Sequence, residues 1–442
     1  MQDAQTTRAA RGAASITGIG AVSPNGIGIP AFGEALRAGR SGVGLLPFSH
    51  PRMKSTVAAA CEDFDPASVL EEADLKRLPR AVPMGLAAAQ EALAMAGLGP
   101  FEGESEKTIE GARRVGLILG TGGGGIDFTL EQAAIAAKGE RPSLWTITNA
   151  THGNLAGELS IKLGLRGPSL CVSTGCASST DAIGLAFDQL RLNRPGSPDA
   201  WVVVGADSHL RWEPMVSMEL LKVISTRDWS GDPGNAHTAS RPFCQTRDGF
   251  VLGEGAWGVV IERQDFAASR EREPVAELLG YGATCDAYHR VRPDPEMTES
   301  VRAMRLAIED AGLAPEDVSV VHYHGTGTQL NDAAETAAVK RAFGGHADRL
   351  VGSSVKSMVG HPQGAGGMAS VVATLTSLCA ARLGLGEAFC PPTINVIERD
   401  EACGLEYCAD GARELTPDQR VALVNCLAFG AKNNALVVRS GG

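Results

Sequence analysis

Short runs of apolar residues that stop at glycine alternate along the chain with longer alanine-rich stretches, the layout of strands and helices in a layered α/β protein. Ile16-Thr17-Gly18-Ile19-Gly20-Ala21-Val22, Val115-Gly116-Leu117-Ile118-Leu119-Gly120 and Trp201-Val202-Val203-Val204-Gly205 are predicted strands. Pro83 to Ala96 and Val301 to Ala311 are predicted helices, because apolar residues recur at helical intervals between charged ones and each stretch stops at a glycine, Gly97 or Gly312. The pattern also repeats. A strand runs into Gly120-Thr121-Gly122-Gly123-Gly124-Gly125 early on, and another runs into His324-Gly325-Thr326-Gly327-Thr328 later. Further along each half a turn of small residues opens a helix: Ser173-Thr174-Gly175-Cys176 first, then Gly360-His361-Pro362-Gln363-Gly364-Ala365-Gly366. Two similar halves joined near Gln264 to Glu273 account for this, as does the ordinary α/β succession of strand, glycine and helix.

Composition narrows the class. The 442 residues, 44% hydrophobic and 21% charged, suit a globular protein with a large core, and the length suggests two or three domains. A net charge of -11 argues against general affinity for nucleic acid or an anionic membrane. The ten cysteines, at 61, 171, 176, 244, 285, 379, 390, 403, 408 and 426, lack the CxxC spacing of a zinc site or a disulfide framework, so reduced and mostly buried thiols are expected. The polar start, Met1 to Arg11, is followed by no apolar leader core, which points to a cytoplasmic protein. Gly364 to Ala381 is the longest uncharged run, but its Gly, Ala, Ser and Thr content fits a tightly packed internal helix better than a membrane span.

The chemistry concentrates at three positions. Cys176 lies where an extended Leu170-Cys171-Val172-Ser173 gives way to the helix-like Asp181-Ala182-Ile183-Gly184-Leu185-Ala186-Phe187. Such an elbow aims a thiol at the positive end of a helix, with free N–H groups to stabilise a thiolate and an oxyanion; a cysteine among small residues is otherwise a core filler. His324 ends a strand at a turn whose glycines let a substrate approach the backbone, and His361 sits in a second such turn. Lys356, five residues before His361, reads either as a surface charge or as a buried partner for Glu335. The Gly120 to Gly125 run lacks the Gly-Lys-Ser/Thr ending of a phosphate-binding loop.

With these residues in place the chain resembles the condensing enzymes of the thiolase superfamily, specifically β-ketoacyl-[acyl carrier protein] synthases of the elongating type II class. The resemblance runs from about Ser15 to Arg439. It rests on the Cys176 segment, His324-Gly325-Thr326-Gly327-Thr328, Lys356-Ser357-Met358-Val359-Gly360-His361 and Asn425 to Asn433, with further matches at Ser240 to Phe243, Arg247 to Gly255 and Pro392-Thr393-Ile394-Asn395. It implies a thiolase fold, two similar halves over 13–265 and 270–442 that form a five-layered α-β-α-β-α sandwich. The implied reaction is a decarboxylative Claisen condensation without metal or nucleotide. Cys176 accepts an acyl chain from acyl carrier protein, its thioester oxygen held by the N–H groups of Cys176 and Phe429. His324 and His361 hydrogen-bond the malonyl thioester as it loses carbon dioxide. Lys356 and Glu335 would form a supporting ion pair, Thr326 and Thr328 would bind the phosphopantetheine arm, and Phe429 with Gly430 would gate the pocket. Paired histidines argue against a thiolase and against the initiating synthases, which carry Asn in place of one of them.

This chain departs from the family at the C-terminal turn, usually Phe-Gly-Phe-Gly-Gly-Thr-Asn and here Leu427-Ala428-Phe429-Gly430-Ala431-Lys432-Asn433, which removes backbone freedom at two positions. The Ser173-Thr174-Gly175-Cys176 segment resembles the dissociated polyketide and aryl-polyene ketosynthases more than housekeeping fatty acid enzymes. There the catalytic chain often pairs with a chain-length-factor homologue lacking the cysteine, so a homodimer and such a heterodimer both stand open. So do a housekeeping role and a non-catalytic partner role. Acyl carrier protein is acidic, and Lys76, Arg77 and Arg80 are the expected docking residues.

Overall fold

The computed structural model describes residues 12–441, so the polar start Met1 to Arg11 lies outside the described residues. Its architecture is one unit traversed twice. The first pass runs β1 (Ala14–Ser23), α1 (Ala81–Ala96), β2 (Val115–Gly120), α2 (His152–Leu163), β3 (Ser169–Val172), α3 (Ser178–Leu192), β4 (Ala200–Asp207) and β5 (Gly255–Arg263). The second runs β6 (Ala276–Cys285), α4 (Thr298–Asp310), β7 (Val320–His322), α5 (Gln329–Phe343), β8 (Val351–Ser353), α6 (Gly366–Leu378), β9 (Val421–Ala428) and β10 (Lys432–Ser440). Within the first pass the strands lie in the order β3-β2-β4-β5-β1, and within the second β8-β7-β9-β10-β6. Reading in from β3 or from β8, the four pairings are parallel, parallel, antiparallel, antiparallel in both. Equal strand order with equal sense is far more than a generic succession of strand, glycine and helix provides, so the repetition seen along the chain is a true structural repeat. The two sheets meet where Ala14–Ile16 of β1 pair with Ala276–Leu278 of β6.

Three helical layers enclose and separate the sheets. α1 and α2 cover the outer face of the first sheet, α4 and α5 that of the second, and α3 with α6 lie between them, which makes the five layers. The all-apolar strands follow from this, because a sheet covered on both faces has no solvent side to alternate with. All 13 residues of α6 are buried, against neighbours that include Ala182, Ile183 and Phe187 of α3. Small side chains are what such a layer requires. A Cβ on Gly364, just ahead of α6, would lie 2.2 Å from the Gly122 nitrogen, so the two loops touch only because both are glycine. The uncharged run expected to be an internal helix is therefore one, opened by a short 3₁₀ turn at Gln363–Ala365. Among the described residues no helix is long and apolar enough to cross a membrane.

The repeat is unequal at its edges. β8 is buried, whereas β3 pairs only with β2 and leaves Leu170 39% exposed on an open sheet edge. Ile161 of α2, the helix that packs along β3, is exposed as well, as are Leu144 and Ile147.

Candidate active site

The turn from β3 to α3 carries Cys176. Gly175 takes φ +69°, and the Ser178 hydroxyl ties the elbow by donating to the Gly175 carbonyl at 2.6 Å while accepting the Thr174 N–H at 2.9 Å. The N–H groups of Phe429 and of Cys176 itself both act on the Cys176 sulfur to favour its charged form. Two amide donors thus converge where a thioester oxygen on that sulfur would develop charge. Sequence reasoning expected the helix start to favour the thiolate. Instead burial pushes the resting thiol up to about 11, against the Phe429 N–H and the Lys356 charge. Dehydration of an enclosed anion outweighs what the elbow supplies.

His324 follows β7, and the turn after it is held by two carboxylates of α5. Glu335 accepts the N–H groups of His324 at 2.7 Å and Gly325 at 2.8 Å, and the Asn425 side-chain amide donates to it at 2.6 Å. Burial pushes Glu335 up to about 7. Asp332 accepts from the N–H groups of Thr326, Gly327 and Phe243. His361 precedes α6; its N–H donates to the Val251 carbonyl at 2.7 Å and its own carbonyl accepts from Gly253 at 3.1 Å, so the Arg247 to Gly255 segment fixes its backbone. The two imidazoles meet edge to face, 5.5 Å between centroids and 89° between planes. Burial first, and then the Lys356 charge, holds both well below the usual histidine range, so both are neutral. The Nδ1 atom of each is buried without a protein partner.

Lys356 is buried, which decides between the two readings of it, but it does not form the expected ion pair. No oxygen of Glu335 lies within 4.0 Å of its ammonium. Glu335 has given its oxygens to the His324 turn, and the two groups act on each other only through space. Burial also pulls the Lys356 pKa down, with Cys426, Glu335 and Cys176 pulling the other way.

Cys176, His324 and His361 line one cavity of about 330 Å³, together with Thr326, Thr328 and Phe429. The hydroxyls of Thr326 and Thr328 lie 3.2 Å apart, and Thr328 also caps α5 by accepting the Asn331 N–H at 3.3 Å. Phe429, Gly430 and Ala431 form the tight turn between β9 and β10, with φ +83° at Gly430 and +62° at Ala431. The glycine is suited to that conformation and the alanine is strained in it.

The docking residues expected from the sequence lie outside the wall of this cavity. None of Lys76, Arg77 and Arg80 lines this cavity. Arg80 is not free at all: it grips Glu254 through Nε and Nη2 at 2.8 to 3.0 Å and donates to the Cys61 carbonyl at 2.8 Å. Glu254 is buried, and its charge needs that partner. Lys76 pairs with Glu72 on the surface, and Arg77 lies over the Trp145 ring. The cations that do line the cavity are Lys222, Arg292 and Lys432.

Sequence reading missed Asp207 and Asp332. Asp207, at the end of β4, accepts Thr121 Oγ1 at 2.7 Å and the N–H groups of Gly122, Gly123 and Gly364, which binds the glycine run to the His361 loop. Its carboxyl stays below the usual range although burial opposes this, because His209 and these donors hold its charge. The glycine-run amides at 122 and 123 are thereby spent inside the protein and do not form a phosphate cradle. An acid closing a uniformly apolar strand was the signal available for Asp207, and an acid in the first turn of a helix after a glycine-rich turn was the one for Asp332.

Residues 13–267 match the family described as Beta-ketoacyl synthase, N-terminal domain, and residues 275–396 match Beta-ketoacyl synthase, C-terminal domain. The chain is 35% identical to a 3-oxoacyl-[acyl-carrier-protein] synthase 2 of Coxiella burnetii, over 96% of this chain and 97% of that one. It is also 35% identical to a putative polyketide beta-ketoacyl synthase 1 of Streptomyces halstedii, with the same coverage of 96% and 97%. Among solved structures it superimposes on the ishigamide ketosynthase/chain length factor with a TM-score of 0.84, 29% identity and coverage of 98% and 100%. A type II polyketide acyl carrier protein in complex with its ketosynthase bound to the hexaketide gives 0.83, 26% identity and coverage of 97% and 99%.

Proposed function

Because the chain belongs to the β-ketoacyl synthase family, we propose that it elongates an acyl chain on Cys176 by decarboxylative condensation with malonyl-acyl carrier protein. The observation that carries this is the single cavity lined by Cys176, His324 and His361. In the first half-reaction the Cys176 sulfur attacks the acyl thioester of a carrier protein; the carrier thiol leaves with the proton, and the acyl group stays on Cys176. The N–H groups of Cys176 and Phe429 hold the carbonyl oxygen as it becomes an oxyanion. In the second, the malonyl thioester loses carbon dioxide, and the electron pair released passes into an enolate whose oxygen His324 and His361 hydrogen-bond. Neutral imidazoles suit this task, since each donates without first losing a proton to the carboxylate. The enolate carbon then attacks the acyl carbonyl, the Cys176 sulfur leaves and takes up one proton, and the chain departs on the carrier two carbons longer. The sequence balances without metal or nucleotide.

Glu335 and Asp332 set the His324 turn, Asp207 sets the His361 loop, and Thr326 and Thr328 receive the pantetheine arm. The carrier protein docks at the mouth, where Lys222 stands beside exposed Leu220 and Leu221, rather than on Arg80. A second thiolase-fold chain, a copy of this one or a chain-length-factor-like partner, covers the open β3 edge. The strand repeat supports dividing the chain into halves over 13–265 and 270–442. We place the protein in the cytoplasm and in type II polyketide or polyene biosynthesis, on the Ser173 to Cys176 segment, with housekeeping fatty acid elongation as the alternative.

Mass spectrometry after incubation with a panel of acyl-acyl carrier proteins tests the reading. An acyl mass on Cys176 is expected, and the donor that loads identifies the pathway. His324→Ala and His361→Ala should still load yet fail to condense, while Cys176→Ala should load nothing. No adduct from any donor would point to a non-catalytic partner subunit instead.

A further inference from the structure

Lys432 stands where the family's C-terminal turn carries threonine, and its surroundings are specific. It opens β10 straight after the Phe429-Gly430-Ala431 turn and lines the catalytic cavity together with Arg292. Backbone hydrogen bonds bind the loops that carry these two cations. Gly430 donates to the Arg290 carbonyl at 2.9 Å, and the Asp286 N–H donates to the Ala431 carbonyl at 2.8 Å. Among the described residues neither cation has a carboxylate within 4.0 Å, in a chain of net charge -11. The two acids that line the same cavity are already engaged: Asp286 accepts from the Asn433 amide at 2.6 Å, and Asp248 pairs with Arg227 at 3.5 Å. Two unpaired cations on stapled loops at the wall of an active-site cavity are a site for an anion.

Position within the cavity selects the anion. Cys176, His324 and His361 are buried, whereas Arg292 is exposed and Lys432 half-buried, so the cations stand at the outer end. A pantetheine-borne thioester has its reacting carbons at one end and its phosphate at the other. With the thioester on the histidines, the malonyl carboxylate lies deep and the phosphate lies at the mouth. We infer that Lys432 and Arg292 form the subsite for the phosphate of the substrate's pantetheine arm, a specificity contact that Thr326 and Thr328, with hydroxyls only, do not supply. This rests on the proposed function.

The test compares malonyl-4′-phosphopantetheine with malonyl-pantetheine, which differ only in the phosphate, as co-substrates for acyl-loaded protein. Wild type should prefer the phosphorylated thioester in kcat/KM, through KM. Lys432→Met should shrink that preference about fivefold, the scale of one partly exposed charge contact, and Lys432→Glu should abolish it, while Lys432→Arg restores it. Raising the salt concentration should erode the wild-type preference and leave that of Lys432→Met nearly flat. A preference unchanged in Lys432→Met overturns the assignment. Equal loss on both thioesters also overturns it and assigns Lys432 to the malonyl carboxylate. Wild type that condenses malonyl-acyl carrier protein but shows no phosphate preference refutes this subsite alone. Wild type that condenses nothing refutes the proposed function as well.

Discussion

A thiol held near 11 offers only a small ionised fraction at neutral pH, and that fraction grows tenfold with each unit that the pH rises towards the pKa. Alkylation of Cys176 by iodoacetamide in the unliganded protein should therefore climb about tenfold per pH unit from pH 7 to pH 9. Site-resolved mass spectrometry that found a plateau near neutrality would show the thiolate to be already formed. Arg80 yields a second prediction. Its removal strands the buried Glu254 carboxylate, which also accepts from Cys61 and Ser208. Arg80→Ala should cost about 3 kcal/mol and lower the melting temperature, with a matching loss of folded protein rather than a selective loss of carrier binding. Cys176, His324 and His361 were legible in the sequence through the ordered motifs that carry the family resemblance, since a small-residue turn alone left Cys176 readable as a core filler. Partners were not: the Lys356 and Glu335 pairing, the commitment of Arg80 and the clamp made by Asp207 each depend on segments far apart in the chain. No periodicity records which of several acids a buried cation meets.

Among the elements, the β9 to β10 turn holds the most consequence for rate. Ala431 is left-handed at φ +62°, where a Cβ costs about 1 to 2 kcal/mol, and glycine would recover part of that after its own entropic cost. Ala431→Gly should raise stability by about 0.5 to 1 kcal/mol in thermal or urea unfolding, whereas Gly430→Ala, at φ +83°, should lower it by a similar amount. If opening of this turn limits acyl loading, Ala431→Gly also speeds Cys176 acylation in single-turnover measurements. The strands at 16–22, 115–120 and 201–205 and the helices at 83–96 and 301–311 were readable from apolar runs and helical spacing, and the predicted strand at Val115 to Gly120 matches the observed one. The short Lys356–Val359 helix and the 3₁₀ turn before α6 were not, since tertiary contacts alone stabilise pieces of that length.

At the scale of the molecule, the open β3 edge is the feature that a soluble sheet does not leave uncovered. Leu170→Lys and Ile147→Asp should shift the protein towards monomer in sedimentation analysis, with little change in melting behaviour at high dilution; an unchanged mass would mean that the edge faces solvent. The repeat itself was visible along the chain as recurring strand, glycine and helix, but only the matching order and sense of the strands distinguished it from the habit of α/β proteins generally. Cys176 stands at the third strand-to-helix turn of the first pass and His361 at the same turn of the second, while the counterpart of His324 is the end of β2, where Thr121 merely holds Asp207. Equal scaffolds thus carry different side chains at matching turns, the cysteine in one half and both histidines in the other. On the proposed mechanism neither half closes a carbon–carbon bond by itself, so the two carbons that join come from opposite halves, held to each other by the pairing of Ala14–Ile16 with Ala276–Leu278.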